Sequence, residues 1–220
     1  VIRVLQIAID GPAGSGKSTI SKIIAKRLDI NYLDTGAMYR MCTLKALKDG
    51  VDLDNQLAVI ENIKDIAIEI KKNRFYLDGK DVSEEIRREK VSKNVSKVAA
   101  IEFVREKMVS IQQKIALKTD VIMDGRDIGT HVLPNSNNKF YLNATVKERA
   151  KRRYEELKEK GESVNFEEIK ENIIKRDAYD MNRDHAPLIK ADDALEVDTT
   201  NLTIEEVVSY IIQRISDSND

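Results

Sequence analysis

The stretch Ile9-Asp10-Gly11-Pro12-Ala13-Gly14-Ser15-Gly16-Lys17-Ser18-Thr19 constrains this chain more than any other. It fits G-x-x-x-x-G-K-[ST], the pattern of a loop that cradles nucleotide phosphates. Three glycines let backbone N–H groups turn inward with no Cβ in the way, forming a nest for an anion. In that pattern Lys17 reaches the β- and γ-phosphates and the Ser18 hydroxyl ligates Mg²⁺. The flanks agree. Val4-Leu5-Gln6-Ile7-Ala8-Ile9 is a short apolar run directly before the loop, and Ile20, Ile23, Ile24 and Leu28 follow at helical spacing. Strand, loop, helix is the order that sets phosphates at a helix N-terminus. Lys17 itself is expected on an exposed loop, contributing little packing.

Composition narrows the partners. At 220 residues the chain is most simply one domain, with room for mobile inserts. Lys plus Arg number 37 and Asp plus Glu 38, a net charge of −1 that offers no polyanion-wide field and argues against nucleic acid. Positive potential must be local, which suits a small phosphorylated ligand. The single cysteine, Cys42, excludes an internal disulfide framework and fits a reducing cytoplasm. No apolar run approaches the ~18 residues of a membrane span, so no membrane partner is expected. The apolar N-terminus runs into the phosphate loop and is not read as a cleavable signal. His131 and His185 are far apart and, with one cysteine, make no transition-metal set. No exposed apolar helix is left over, so a monomer is expected.

Strand and helix patterns alternate along the chain. Asn31-Tyr32-Leu33 reads as a strand ending in Asp34-Thr35-Gly36, and Ala37 to Lys48 as a helix with Met38, Met41, Leu44 and Leu47 inward. Leu57, Ile60 and Ile63 suggest a short helix, and Ile66 to Ile70 alternates as a strand. Turn signals at Asn73-Arg74 and Asp78-Gly79 flank Phe75-Tyr76-Leu77 and precede Lys80-Asp81-Val82, which reads as a small antiparallel piece. Helical spacing resumes at Val91, Val95 and Val98, and again at Val104, Met108, Ile111 and Ile115. Val121-Ile122-Met123, Phe140-Tyr141-Leu142 and Ala194 to Val197 are further strands. Thr145-x-x-Glu148, Asn165-x-x-Glu168 and Thr203-x-x-Glu206 are box-like caps opening helices, the last with Val207, Val208, Ile211, Ile212 and Ile215 inward. The pattern predicts an α/β doubly wound parallel sheet, with ligands at the carboxyl ends of its strands.

Polar residues gather at those ends. Asp10 and the phosphate loop follow the first strand, Asp34 the second, and Asp124 with Arg126 and Asp127 the third. Asp124, after three apolar residues, resembles the carboxylate that helps hold Mg²⁺ in such loops. Arg40, Arg105, Arg126, Arg176 and Arg183 lie in or beside element ends. Arg149, Arg152 and Arg153 share one turn of a charged helix with few apolar residues to pack it, which reads as a lid. A phosphoryl group in transfer needs cationic clamps on donor and acceptor. A phosphate acceptor, with a second pKa of about 6, needs no protein base, so this arginine set favours it over a hydroxyl. Asp34 keeps the hydroxyl alternative open.

The chain resembles bacterial cytidylate kinases. The residues that carry the likeness are Gly11 to Thr19, Leu33-Asp34-Thr35-Gly36-Ala37-Met38-Tyr39-Arg40, Ser96 to Ala100, Val104-Arg105-Glu106, Asp124 to Thr130, the Arg176-Asp177…Asp180…Arg183…Ala186-Pro187-Leu188 run, and Ala194 to Thr200. The resemblance implies transfer from ATP to CMP or dCMP with Mg²⁺. It implies a P-loop three-layer α/β/α core over residues 1–36, 98–147 and 166–220. A nucleoside-monophosphate-binding insert with a small antiparallel sheet would span 37–97, and a short helical lid 148–165. By position, Lys17, Arg40, Arg126, Arg149 and Arg153 would be catalytic. Gly11, Pro12, Ala13, Gly14, Ser15, Gly16, Lys17, Ser18, Thr19 and Arg152 would hold ATP, and Ser18, Asp34 and Asp124 the metal. The acceptor would meet Thr35, Tyr39, Arg40, Ser96, Arg105, Gly125, Arg126, Asp127, Arg176, Asp180 and Arg183. Of these, Arg40, Arg126 and Arg176 would clamp its phosphate, Asp180 and Arg183 its sugar, and Ser96, Arg105 and Asp127 its base. Met181 stands between the sugar contacts where a polar residue is expected, which leaves CMP against dCMP open. The alternatives are a related kinase acting on UMP, AMP or a metabolite hydroxyl, and a nucleotide-dependent switch.

Overall fold

The computed structural model describes residues 4–71 and 74–217; the turn signal at Asn73 lies outside the described residues. In chain order the elements are β1 (Gln6–Asp10), α1 (Lys17–Leu28), β2 (Asn31–Asp34), α2 (Thr35–Lys48), α3 (Gln56–Ile63), β3 (Ile68–Lys71), β4 (Arg74–Leu77) and β5 (Lys80–Asp81). They continue as α4 (Glu89–Ala99), α5 (Glu102–Ala116), β6 (Val121–Gly125), β7 (Asn138–Asn143), α6 (Val146–Glu159), α7 (Phe166–Asn182), β8 (Leu195–Asp198) and α8 (Ile204–Asp217). Two compact units emerge, Val1–Tyr32 with Lys118–Asp220, and Leu33–Leu117.

The first unit is built on a five-stranded sheet of order β2-β6-β1-β7-β8, the parallel α/β/α arrangement that the alternation of strands and helices predicts. β1 lies at its centre, parallel to β6 (Ile7 opposite Ile122) and to β7 (Ile9 opposite Phe140). β8 adds in parallel beside β7. Period-2 alternation sends Ile7, Ile9 and Ile122 to one face. There they pack with Ile20 and Ile24 of α1, Phe140 and Leu142 of β7, and Val207, Val208, Ile211 and Ile215 of α8. Each fully buried aliphatic side chain contributes about 1.5–3 kcal/mol. The carboxyl ends of β1, β6, β7 and β8 share one edge, since their pairings are parallel.

The three caps that the sequence predicts each work differently. Thr203 and Glu206 form a reciprocal box: Glu206 N–H donates to Thr203 Oγ1, and Thr203 N–H and Oγ1–H donate to Glu206 Oε2. At α7, Asn165 Oδ1 accepts from the N–H groups of Glu167 and Glu168. At α6 the Thr145 hydroxyl accepts from Glu148 N–H, but the Glu148 carboxylate turns to Arg152 and Thr145 N–H donates to Thr200 instead. Nor is α6 without apolar anchors. Ala150 packs with Ile169 and Ile173 of α7, joined by Val146, Tyr154, Leu157, Val164 and Phe166.

In the second unit α2 packs against α3, α4 and α5. Met38, Met41 and Cys42 are buried completely, and burial pushes the Cys42 thiol up to about 12, so it is an inert packing group. α3 forms where expected, but its buried face is Val59 and Ile63, and Leu57 is 79% exposed. The antiparallel piece is a three-stranded sheet, β3-β4-β5, with Ile68 opposite Leu77 and Tyr76 opposite Asp81. Asp78 (φ 48°) and Gly79 (φ 78°) are both left-handed, as a two-residue hairpin turn between twisted strands requires.

Candidate active site

The phosphate loop leaves β1 through Gly11, whose φ is +146°. A Cβ there would sit 2.0 Å from the Leu142 carbonyl oxygen, so only glycine lets the loop pass β7 this closely. Gly16 (φ +91°) enters α1 with no side-chain cap. The first N–H groups of that helix are therefore available to an anion.

Lys17 is 6% exposed, in contrast to the exposed lysine expected from sequence. Its Nζ donates to Pro12 O at 2.7 Å and to Ser15 Oγ at 3.2 Å. Burial, and after it the Arg126 guanidinium, hold its pKa well below the ordinary lysine value. A phosphate against Nζ opposes both effects and favours the charged form. Ser18 Oγ donates to Asp124 Oδ2 at 2.7 Å, and the Tyr32 hydroxyl donates to Asp124 Oδ1 at 2.8 Å. The Ser18–Asp124 pair offers hard oxygens, and no group of three or more His, Cys, Asp or Glu suited to a metal occurs among the described residues. Such a pair fits Mg²⁺, which takes one or two protein oxygens and completes its shell with water and phosphate.

Two further carboxylates organise the strand ends. Asp10 is 5% exposed and accepts from the N–H groups of Ile128 (2.8 Å) and Gly129 (2.7 Å). Burial raises its pKa from 3.8 to about 6 despite those two bonds. They pin the π-helical turn Ile128–Val132 that follows Asp127, a feature that the local sequence pattern does not predict. Asp177 Oδ1 accepts from Ala13 N–H in the phosphate loop (3.2 Å), and its Oδ2 accepts from Arg149 Nη1 (2.5 Å).

The arginines separate into distinct environments. Arg126 Nε donates to Asp180 Oδ2 at 2.9 Å, and Arg176 Nε lies 3.9 Å from the same oxygen. Burial alone would raise the Asp180 pKa, but Arg126, Arg176 and Arg183 outweigh it and hold the carboxyl below its ordinary value. Arg183, 9% exposed, donates to Ala186 O and lies 3.9 Å from Asp127 Oδ1. Arg149 is buried and donates to Ala144 O, Ala13 O and Asp177. Arg152 donates to Glu148, to Thr199 Oγ1 (3.0 Å) and to Thr199 O (2.6 Å). Thr199 in turn donates to Asn143 O and, at 3.4 Å, to Ser15 O of the loop. Arg153 faces Glu156 on the exposed side of its own helix.

In the second unit, Asp34 caps α2 through Ala37 N–H (2.9 Å) and pairs with Arg87 at 3.0 Å. Both its oxygens are therefore engaged. Arg40 Nη1 donates to Ser92 Oγ (2.7 Å) and Ile86 O (3.3 Å). Arg105 is buried, donates to Ala99 O, and its guanidinium stands 4.9 Å over the Tyr39 ring. Thr35 is buried in the first turn of α2, and Ser96 is partly buried on α4.

Within the first unit, then, these residues fall into local groups: Ser18 with Asp124, Arg126 and Arg176 with Asp180, Arg183 with Asp127, and Arg149 with Asp177, while Lys17 and, through Thr199, Arg152 reach Ser15, and Arg153 stands apart with Glu156. Sequence reasoning missed Tyr32, Asp177 and Thr199 as site residues. The Arg176-Asp177 run carried a signal for Asp177, and the Ala194 to Thr200 segment one for Thr199.

The chain has close counterparts among known proteins. The cytidylate kinase family model matches residues 7–217. A cytidylate kinase of Clostridioides difficile is 55% identical over 96% of this chain and 98% of that protein. One from Alkaliphilus oremlandii is 56% identical over 94% and 96%. A solved structure of an uncharacterized protein from Eubacterium ventriosum covers 98% of this chain and 99% of that one, with a TM-score of 0.53 at 16% identity, a likeness of fold alone.

Proposed function

The chain belongs to the cytidylate kinase family, and on that premise we propose that it transfers the γ-phosphoryl group of ATP to the phosphate of CMP or dCMP, giving CDP or dCDP. The observation that carries this reading is the Asp180 carboxylate, with Arg126 Nε at 2.9 Å and Arg176 Nε at 3.9 Å, in the same unit as the phosphate loop and Lys17. Two guanidinium groups oriented by one carboxylate, in the unit that also carries the loop lysine, suit a group shared between two phosphates better than a nucleotide held without turnover.

The acceptor phosphate is already largely ionised near neutrality, so its oxygen attacks without a protein base. The loop N–H groups and Lys17 hold the donor β- and γ-phosphates in line. Arg126, Arg176 and Arg40 hold the acceptor phosphate and neutralise charge that spreads over the transferring group. Asp180 orients the two arginines on its own unit and, with Arg183, takes the sugar. Ser96, Arg105 and Asp127 read the base, with Arg105 steadied by the Tyr39 ring. Ser18 and Asp124 would hold Mg²⁺, which would supply positive charge to offset that of the donor phosphates. Asp34, with both oxygens engaged, serves in this reading as the cap of α2. Arg149 acts through the loop it grips. Arg152 borders the nucleotide at Gly16, where a Cβ would lie 3.8 Å from its Nη1.

Residues 148–165 are the part we assign to a lid, hinged where Arg149 and Ala150 are anchored. The reading is of a monomeric, cytoplasmic enzyme of small molecules. No described helix is long and apolar enough to cross a membrane. A coupled assay of ADP release with CMP, dCMP, UMP and AMP tests the acceptor. Turnover with CMP and dCMP well above UMP and AMP is expected, and a preference for UMP or AMP contradicts the reading.

A further inference from the structure

Most of the polar groups around the loop have a part in the reaction proposed above, but the carboxylate of one buried ion pair does not. Asp177, on α7, is 6% exposed, and Arg149, on α6, is 4% exposed. Between them lies the backbone of Ala13. Its N–H donates to Asp177 Oδ1 at 3.2 Å, its carbonyl accepts from Arg149 Nη1 at 2.9 Å, and the two side chains close the ring at 2.5 Å. Arg149 is fixed further by its Nε bond to Ala144 O at 2.9 Å. The next residue, Gly14 (φ +77°), runs so close to α6 that a Cβ on it would lie 3.2 Å from the Arg149 Cβ. The loop is thus clamped at residues 13 and 14, just before the stretch whose N–H groups turn toward an anion.

We propose that Asp177 is a positioning residue for the phosphate donor. With Arg149 it grips both backbone polar groups of Ala13 and so sets the direction of the loop amides from Gly14 to Ser18. This inference rests on the reading of the chain as an ATP-dependent kinase. It adds a second consequence, because α7 also carries Arg176 one residue before Asp177 and Asp180 three residues after it. One helix therefore registers the donor loop, through Asp177, against the acceptor-phosphate clamp, through the Asp180–Arg126 pair. Amides fixed in advance stabilise charge without reorganising during transfer. A loop free to turn at Ala13 loses that advantage, and misplacement by about 1 Å can cost on the order of 10²-fold in rate.

The Asp177→Ala variant removes the acceptor of the Ala13 N–H and the charge that holds Arg149. Asp177→Asn keeps an oxygen for Ala13 N–H but removes the charge facing Arg149. For each, dissociation constants are measured separately for CMP alone and for a non-hydrolysable ATP analogue with Mg²⁺, alongside kcat and both KM values. The expected result for Asp177→Ala is an analogue bound about tenfold or more weakly and a lowered kcat, with CMP affinity within twofold of wild type. Asp177→Asn should lie between, and Arg149→Met combined with Asp177→Ala should add little to the worse single variant. Analogue affinity and kcat both within twofold of wild type would overturn the proposal, as would parallel losses for CMP and the analogue. If Asp177→Ala does not fold, Asp177→Asn and Arg149→Lys carry the same comparison. Analogue binding requires no acceptor, so a wild-type chain that fails to phosphorylate CMP would contradict the kinase reading while leaving this result to stand or fall by itself.

Discussion

The Ser18 hydroxyl and the Asp124 carboxylate face each other across 2.7 Å, although 106 residues separate them in the chain. Parallel pairing of β1 and β6 makes this possible, because Asp10 lies opposite Gly125 and the segments that leave both strands share one edge. The Tyr32 hydroxyl takes the other Asp124 oxygen and fixes its rotamer.

Asp124→Asn tests the pair as a magnesium site. The amide oxygen can still accept one hydrogen bond, so the melting temperature should change little, but the charge is gone. The Mg²⁺ concentration giving half-maximal rate should rise about ten- to a hundredfold. Titration of initial rates with Mg²⁺ checks this, and an unchanged requirement would remove Asp124 from the site.

Lys17→Ala should lower kcat at least ~10²-fold, measured at saturating substrates. Its effect on stability should be small or favourable, because the wild-type ammonium is buried beside Arg126 and disfavoured there. Urea denaturation of both proteins gives the comparison, and a large loss of stability in the variant would contradict it.

Asp10 gives a pH signature. Its carboxyl titrates at about 6 in the folded chain against 3.8 ordinarily, so between those values the folded state binds more protons than the unfolded state. Stability from this group is therefore highest below 3.8, falls as pH rises, and is fully lost above about 6. The gap corresponds to about 3 kcal/mol. Asp10→Asn lacks this dependence, so the stability of wild type relative to the variant should decline across that window. Urea denaturation at a series of pH values measures it, and a pH-independent difference would contradict the assignment.

How much of this was legible in the sequence follows from the range of each interaction. The loop, the strand ends and the hairpin at Asp78-Gly79 depend on neighbours in the chain, and local pattern was enough to find them. α3 shows the limit: its periodicity fits Leu57 as well as Val59, and only packing decides that Val59 goes inside. The π-helical turn after Asp127 is held by Asp10, more than 100 residues earlier, so nothing nearby in sequence announces it. The grip of Asp177 and Arg149 on Ala13 likewise depends on α6 and α7 lying against the loop. The charged appearance of α6 concealed its apolar contacts because they lie on one narrow stripe facing α7.

That stripe also revises the expected motion of α6. Arg149 and Ala150 are buried whereas Glu155, Glu156 and residues 158–160 are exposed. Amide exchange in the free protein should therefore be slow in the first turns and faster toward Lys160. ATP analogue and CMP together should slow the later part. Uniform exchange along α6, unchanged by ligands, would argue against a lid hinged at Arg149.

On the function proposed, this chain moves a phosphoryl group from ATP to the phosphate of a cytidine monophosphate. ³¹P NMR of an equimolar mixture of ATP, CMP and Mg²⁺ with catalytic protein observes that transfer directly. Resonances of CDP and ADP should grow together in equal amounts, with no inorganic phosphate. Growth of ADP with inorganic phosphate while CMP remains unchanged would contradict the claim and identify a nucleotide-hydrolysing switch instead.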